Sequence, residues 1–327
     1  MKLPHSLEPY FDDQARVAHE SMAATSLEKH LKEMPRSQLK EVGVQQIRYA
    51  EIIPAGDYDN SEAILLELPF ANGWAPHMYL RARYLQAVAA PDQRVIVFPQ
   101  STISETAYDF TGFQLDQIKQ GDVTPIAERQ ARLVRTLGIG RASIIGYSGG
   151  GMNAAVLSEV LADEVSVLSV GVFEPPNVVD RTAKQLTKDF KASGFSYLQA
   201  AKDAEIPALV EALGKSPVSW KVLKGTTNFG VSTLLRGNKE LKEGMAHNNL
   251  SHTLALALLH QPGLGVTLAN AEHSKVSPKI KMSAQANTLS PFGNVNHITV
   301  EGYDHGMGDN IVVHGLLGKA AVENSKK

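Results

Sequence analysis

The chain has 327 residues, enough for one large α/β domain with an insertion or for two ordinary domains. Its 32 basic and 34 acidic residues leave a net charge of −2 with no dense Lys/Arg block, so no nucleic-acid partner is expected. The absence of cysteine excludes disulfides, Cys-ligated zinc, iron–sulfur clusters and a thiol nucleophile, and leaves any chemistry to oxygen and nitrogen.

Residues 1–40 are polar and helix-prone, are interrupted by Pro35, and read as an N-terminal helical appendage. Charge and proline enter before any apolar run can develop, so no signal peptide is expected. No stretch reaches the roughly 18 apolar residues of a membrane span. A soluble, cytoplasmic protein is the expectation, although a chain without cysteine is also compatible with export. From Gln45 onward short β-branched runs recur: Gln45–Ile53, Ala63–Leu68, Arg94–Phe98, Ser143–Tyr147, Val165–Phe173, Val266–Ala271 and Ile298–Tyr303. Several are apolar without strict alternation, as in strands buried on both faces of a parallel sheet.

Helices are predicted between these runs. One opens at Thr124 as N-cap with Pro125 at the first helical position, carries Ile126, Leu133, Val134 and Leu137 on one face, and stops at Gly138. A second follows Ser148, with Met152, Val156 and Val160 in a stripe beside Leu157 and Leu161. Together these predict a doubly wound α/β fold. Between the runs ending at Phe173 and starting at Val266, helices are predicted over Arg181–Gln199, Ala204–Leu213 and Lys239–His260, punctuated by Gly214, Pro217, Gly225 and Gly237. This insertion is either an uninvolved second domain or a cap over the C-terminal edge of the sheet, where such folds bind ligands.

The most informative stretch is Ser143-Ile-Ile-Gly-Tyr-Ser-Gly-Gly-Gly-Met152, with Gly-x-Ser-x-Gly at Gly146, Ser148 and Gly150 between a strand-like run and an amphipathic helix. A serine projecting from so sharp a turn needs neighbours without bulk, and the first helical N–H, at Gly149, is placed to meet an oxyanion. A chance glycine-rich turn is the plain competitor. A nucleotide loop is another, but no Gly-x-x-x-x-Gly-Lys occurs and no Gly-x-Gly-x-x-Gly opens a helix here.

Thr124 through Ala155 resembles the helix–strand–nucleophile-elbow–helix unit of the α/β-hydrolase superfamily, in its serine-nucleophile branch. The resemblance implies a doubly wound, mostly parallel sheet with a helical cap inserted after the sixth strand. It divides the chain into residues 1–40, a core of 41–177 and 263–327, and a cap of 178–262. It also implies Ser148 as nucleophile and a base and an acid later in the chain.

A serine hydroxyl needs a base that takes its proton. Of eleven histidines, His305 follows a late strand in Gly302-Tyr-Asp-His-Gly306, similar to the family's C-terminal histidine loop. His77, His273 and His314 read as ordinary polar contacts, with His77 and His273 near enough in pattern to line a pocket. The usual acid position, beyond the strand at Val266–Ala271, is taken by Ser274. Two glutamates compete instead: Glu174, directly after Phe173, is the expected acid, and Glu272 is the alternative. Branches of the family similar to haloalkane dehalogenases take the acid from the earlier strand, and a carboxylate leaving an apolar strand is costly without a partner such as an imidazole N–H. Either glutamate can also be a solvated loop charge. A second oxyanion donor is expected from Phe70 or Ala71 in Pro69-Phe-Ala-Asn-Gly-Trp74, where the family's His-Gly pair is missing; Phe70 and Trp74 read equally well as core.

Cleavage of a carboxylic ester or thioester through an acyl-enzyme on Ser148 is the leading expectation, with a small-molecule acyl substrate and no cofactor or metal. The alternative is a non-catalytic binding or structural protein that kept the elbow. Nothing in the sequence sets the oligomeric state.

Overall fold

The computed structural model describes residues 3–43, 45–69, 74–99, 110–192, 196–215, 238–247 and 249–325. Among them, eight strands form one sheet: β1 Gln38–Val42, β2 Gln45–Ile52, β3 Glu62–Glu67, β4 Arg94–Phe98, β5 Arg141–Tyr147, β6 Ser166–Phe173, β7 Gly265–Ala271 and β8 Asn294–Val300. Their spatial order is β1-β2-β4-β3-β5-β6-β7-β8. The β1–β2 and β2–β4 pairs are antiparallel, and all later pairs are parallel. β4, β5 and β7 are buried along nearly their whole length, which is why they read as continuous apolar runs.

The strand boundaries depart from the sequence pattern at the two edges. β1 was not predicted: its Gln-Leu-Lys-Glu-Val is polar and almost wholly exposed, as an edge strand tolerates. The last strand begins at Asn294 and ends at Val300, earlier than the predicted Ile298–Tyr303. At the opposite edge only Ile298 and Val300 of β8 are buried, so Asn294, Asn296 and His297 fit without an apolar signature.

Two helical layers cover the sheet. On one face lie α1 Asp13–Ala24, α2 Leu27–Glu33, α3 Pro76–Ala89 and, packed on α3, the C-terminal helix Ile311–Asn324. The N-terminal segment is fastened there by buried Leu7, Met22 and Leu27. Each such buried aliphatic side chain contributes about 1.5–3 kcal/mol. On the other face lie α4 Gly112–Lys119, α5 Thr124–Thr136 and α6 Gly149–Val160. α5 begins one residue before the predicted start, with Val123 at the N-cap and the Asp122 carboxylate accepting from Thr124 N–H at 3.0 Å. It ends as predicted before Gly138, whose φ of 68° only glycine adopts easily.

Between β6 and β7 the described residues form α7 Ala183–Ala192, α8 Ser196–Asp203, α9 Pro207–Lys215, α10 Asn238–Gly244 and α11 Leu250–His260. α11 lies against α6 and serves as the crossover helix that β6 and β7, being parallel neighbours, require. α12 Lys279–Leu289 follows β7, and the C-terminal helix is α13. No described helix is long and apolar enough to cross a membrane.

Candidate active site

Register builds the site. Tyr147 of β5 pairs with Phe173 of β6, so the residues that follow, Ser148 and Glu174, leave the sheet side by side at its C-terminal edge. The Ser148 N–H still donates to the Phe173 carbonyl at 2.8 Å, and the Glu174 N–H to the Ala269 carbonyl at 2.8 Å. Both residues then turn sharply: Ser148 has φ 56° and Glu174 φ 52°, two of three non-glycine residues in the left-handed region among those described. Such backbone costs on the order of 1–3 kcal/mol per residue and persists where the surroundings over-determine it.

The glycines of the elbow are required by contact. A Cβ on Gly146 would lie 2.2 Å from the Gly150 carbonyl oxygen, and one on Gly150 would lie 2.4 Å from that of Glu67. α6 therefore starts directly beneath Ser148, with Gly149 as its first residue.

Ser148 Oγ lies 3.0 Å from His305 Nε2, and His305 Nδ1 lies 2.7 Å from Glu174 Oε2. A carboxylate only accepts, so Nδ1 carries the proton and Nε2 faces the serine hydroxyl as acceptor. Ser148 is 4% exposed, His305 1% and Glu174 0%. Two further donors hold Glu174: the Ala271 N–H reaches Oε1 at 2.5 Å and the Ser274 hydroxyl reaches Oε2 at 2.6 Å. Ser274, in the place where the family pattern has its acid, thus orients the carboxylate that stands on His305. Its own oxygen accepts the Ser277 N–H at 3.0 Å, and the Ser277 hydroxyl donates to the Pro175 carbonyl at 2.6 Å, which closes the loops around Glu174.

Glu272, the other candidate, is exposed and accepts from Gly302 N–H at 3.0 Å, with His273 beside it at 3.7 Å. His273 is exposed too. His77 is buried at the start of α3, where desolvation and then the Arg81 charge push its imidazole down to about 3. His314 on α13 is buried edge-on to Tyr147 and Phe173, and burial holds it well below the ordinary histidine range. Phe70 and Ala71, proposed for the oxyanion hole, lie outside the described residues. Trp74 packs edge-on to Tyr79 and donates to the Pro35 carbonyl at 2.8 Å.

The His305 turn is fixed from both ends. Asp304 accepts from Gly306 N–H at 2.8 Å, and Asn310 caps α13 through Val312 and Val313 N–H while donating to the Tyr303 hydroxyl at 2.9 Å. The Tyr147 ring stacks on the imidazole at 5.6 Å and its hydroxyl donates to the His305 carbonyl. Gly308 lies flat on that ring, since a Cβ there would come within 2.4 Å of it. Phe190 of α7 meets the imidazole edge-on at 4.9 Å. Sequence patterns did not single out Tyr147 or Phe190, because a lone aromatic in a strand or helix reads as core.

Comparison with solved structures now defines the fold. The chain has the α/β-hydrolase fold. It is similar to proline iminopeptidase from Mycobacterium smegmatis (12% identity, TM-score 0.53, covering 89% of this chain and 99% of that one). It is likewise similar to the enol-lactonase from Burkholderia xenovorans LB400 (13% identity, TM-score 0.53, 80% and 91% covered). A thermostable esterase from Pseudomonas putida ECU1011 gives 14% identity and a TM-score of 0.53, with 100% and 92% covered. No family model and no curated protein matches the chain.

Proposed function

We propose that the protein is a serine hydrolase that cleaves a carboxylic ester or thioester through an acyl-enzyme on Ser148. The observation that carries this reading is the buried chain Ser148 Oγ, His305 Nε2, His305 Nδ1, Glu174 Oε2, at 3.0 and 2.7 Å. In the proposed reaction Ser148 Oγ attacks the carbonyl carbon as its proton passes to His305 Nε2, and Glu174 holds the imidazolium that forms. Charge develops on the carbonyl oxygen, for which the Gly149 N–H is the proposed donor, with Phe70 or Ala71 contributing the second. His305 gives its proton to the departing alcohol or thiol. Water, activated by the same imidazole, then releases the acid and restores Ser148. The esterase and enol-lactonase among the solved structures support this choice of carbonyl chemistry.

The division into an N-terminal appendage (1–40), a core (41–177 and 263–327) and a helical cap (178–262) belongs to the same reading. Phe190, carried by α7 onto the imidazole, supports a cap that shapes the acyl pocket. Labelling with a fluorophosphonate, with the adduct mapped by mass spectrometry, tests the assignment. Stoichiometric modification of Ser148 that disappears in Ser148→Ala and His305→Ala is expected. A folded native protein that takes no label would assign the fold to a binding role.

A further inference from the structure

The short helical turn that carries His305 also carries a second carboxylate, Asp309, that the serine mechanism does not use. Asp309 closes the same helical turn as His305, and its Oδ1 accepts from Arg81 Nη2 on α3 at 2.9 Å. The side chains are 19% and 2% exposed. The Arg81 guanidinium also lies over the Tyr147 ring, 5.6 Å from its centroid, and that ring in turn stacks on the imidazole while its hydroxyl donates to the His305 carbonyl. One buried cation therefore touches both supports of the histidine: the end of its turn and the ring it rests on.

We propose that Arg81 and Asp309 are a positioning pair for His305, Asp309 adding a second negative charge beside the imidazole and Arg81 limiting its pull. The inference rests on the serine-hydrolase reading for its functional meaning. Its physical content, a charge pair coupled to one imidazole, is independent of that reading. Burial raises the Asp309 carboxyl above the ordinary aspartate range, while the charges of Arg81 and His305 oppose the rise. His77 and His314, buried near the same guanidinium, are held neutral by burial and by its charge, so they do not answer Asp309. Other ionisable groups on or beside the elements packed against the turn include Tyr303 and Asp304 before it, Lys202 and Asp203 on α8, Glu272 and His273 after β7, and Lys319, paired with Asp12, and Glu323 on α13. Glu174, with Arg181 nearby, is the group bonded to the imidazole itself.

A merely structural pair and a charge pair differ under Asp309→Asn, because the amide oxygen can still accept from Arg81 while the negative charge is gone. The test is an NMR titration of the full chain labelled with 15N-histidine, with the His305 signal assigned by its loss in His305→Gln. Asp309→Asn should move the His305 midpoint to lower pH, and Arg81→Met to higher pH, each by on the order of half a pH unit. Arg81→Lys should return it toward the native value. An unchanged midpoint in folded Asp309→Asn overturns the proposal, whatever becomes of Arg81→Met. Fluorophosphonate labelling of the native protein separates the two readings: absent label refutes the hydrolase, while the titration alone judges the pair.

Discussion

Two glutamates end neighbouring regions of the sheet, and both are buried, yet their surroundings are opposite. Glu174, after β6, receives the Ala271 N–H, the Ser274 hydroxyl and the His305 Nδ1–H. Glu67, the last residue of β3, receives the Gln130 amide at 3.0 Å, with Asn153 also near enough to lower its pKa, and burial still pushes its carboxyl up to about 8. At Glu67 burial thus outweighs the two amide donors and favours the protonated carboxyl. At Glu174 three donors, one of them the imidazole N–H, converge on the buried carboxyl and satisfy its oxygens. The two sites lie close together, since Gly150 of the elbow abuts the Glu67 carbonyl while Glu174 stands behind His305.

Replacing each glutamate by glutamine separates them, and the largest effect is expected at the donor-rich one. Glu174→Gln should cut kcat/KM for an activated ester by roughly a thousand- to ten-thousand-fold with little change in fold, since an amide disrupts the tautomer that keeps Nε2 free. Steady-state kinetics with far-UV circular dichroism checks this, and a loss below tenfold would remove Glu174 from the mechanism.

Glu67→Gln should act on stability instead. With a native value near 8 and an unfolded value of 4.5, the native state keeps a proton that the unfolded state releases between those pH values. Native stability contributed by this group is therefore complete below pH 4.5 and falls as pH rises toward 8, by up to about 1.4 kcal/mol per pH unit. Glutamine cannot ionise, so denaturant melts of the variant should show a shallower decline over that window. Equal slopes for variant and native protein would contradict a protonated Glu67.

Ser274→Ala removes one donor from Glu174 and should cost about 1–2 kcal/mol in transition-state stabilisation, a roughly ten-fold loss in kcat/KM with KM nearly unchanged. The smallest effect is expected for Gln130→Leu, which takes away the Glu67 donor and should move its titration still higher. Carboxyl NMR of Glu67 reads that change, and a downward shift would mean that another donor dominates.

The fold was legible where its determinants are local. The elbow is written within Ser143–Ala155, as an apolar strand, Gly-x-Ser-x-Gly and a helix with small residues; Gly146 answers a contact inside that unit, with Gly150 and Ala154, and Gly150 answers the close approach of the Glu67 carbonyl of β3. The central strands were legible because burial on both faces forces continuous apolar runs. β1 and the start of β8 were hidden because an edge strand has an exposed side that accepts Gln, Lys, Asn and His.

By itself the sequence pointed to a serine on a sharp strand-to-helix turn of a parallel α/β sheet, since the strand, the Gly-x-Ser-x-Gly pattern and the helix that follows are all contiguous in the chain. It left Glu174 and Glu272 in competition, and it gave no sign of Arg81 with Asp309. Only the tertiary structure decided which carboxylate meets His305. The β5–β6–β7 register sets Glu174 beside Ser148, and the loop after β7 supplies Ala271 N–H and Ser274 to hold it. Arg81 and Asp309 are 228 residues apart in the chain and meet because α3 packs on α13. A charge pair made across two helices leaves no periodic trace in either one.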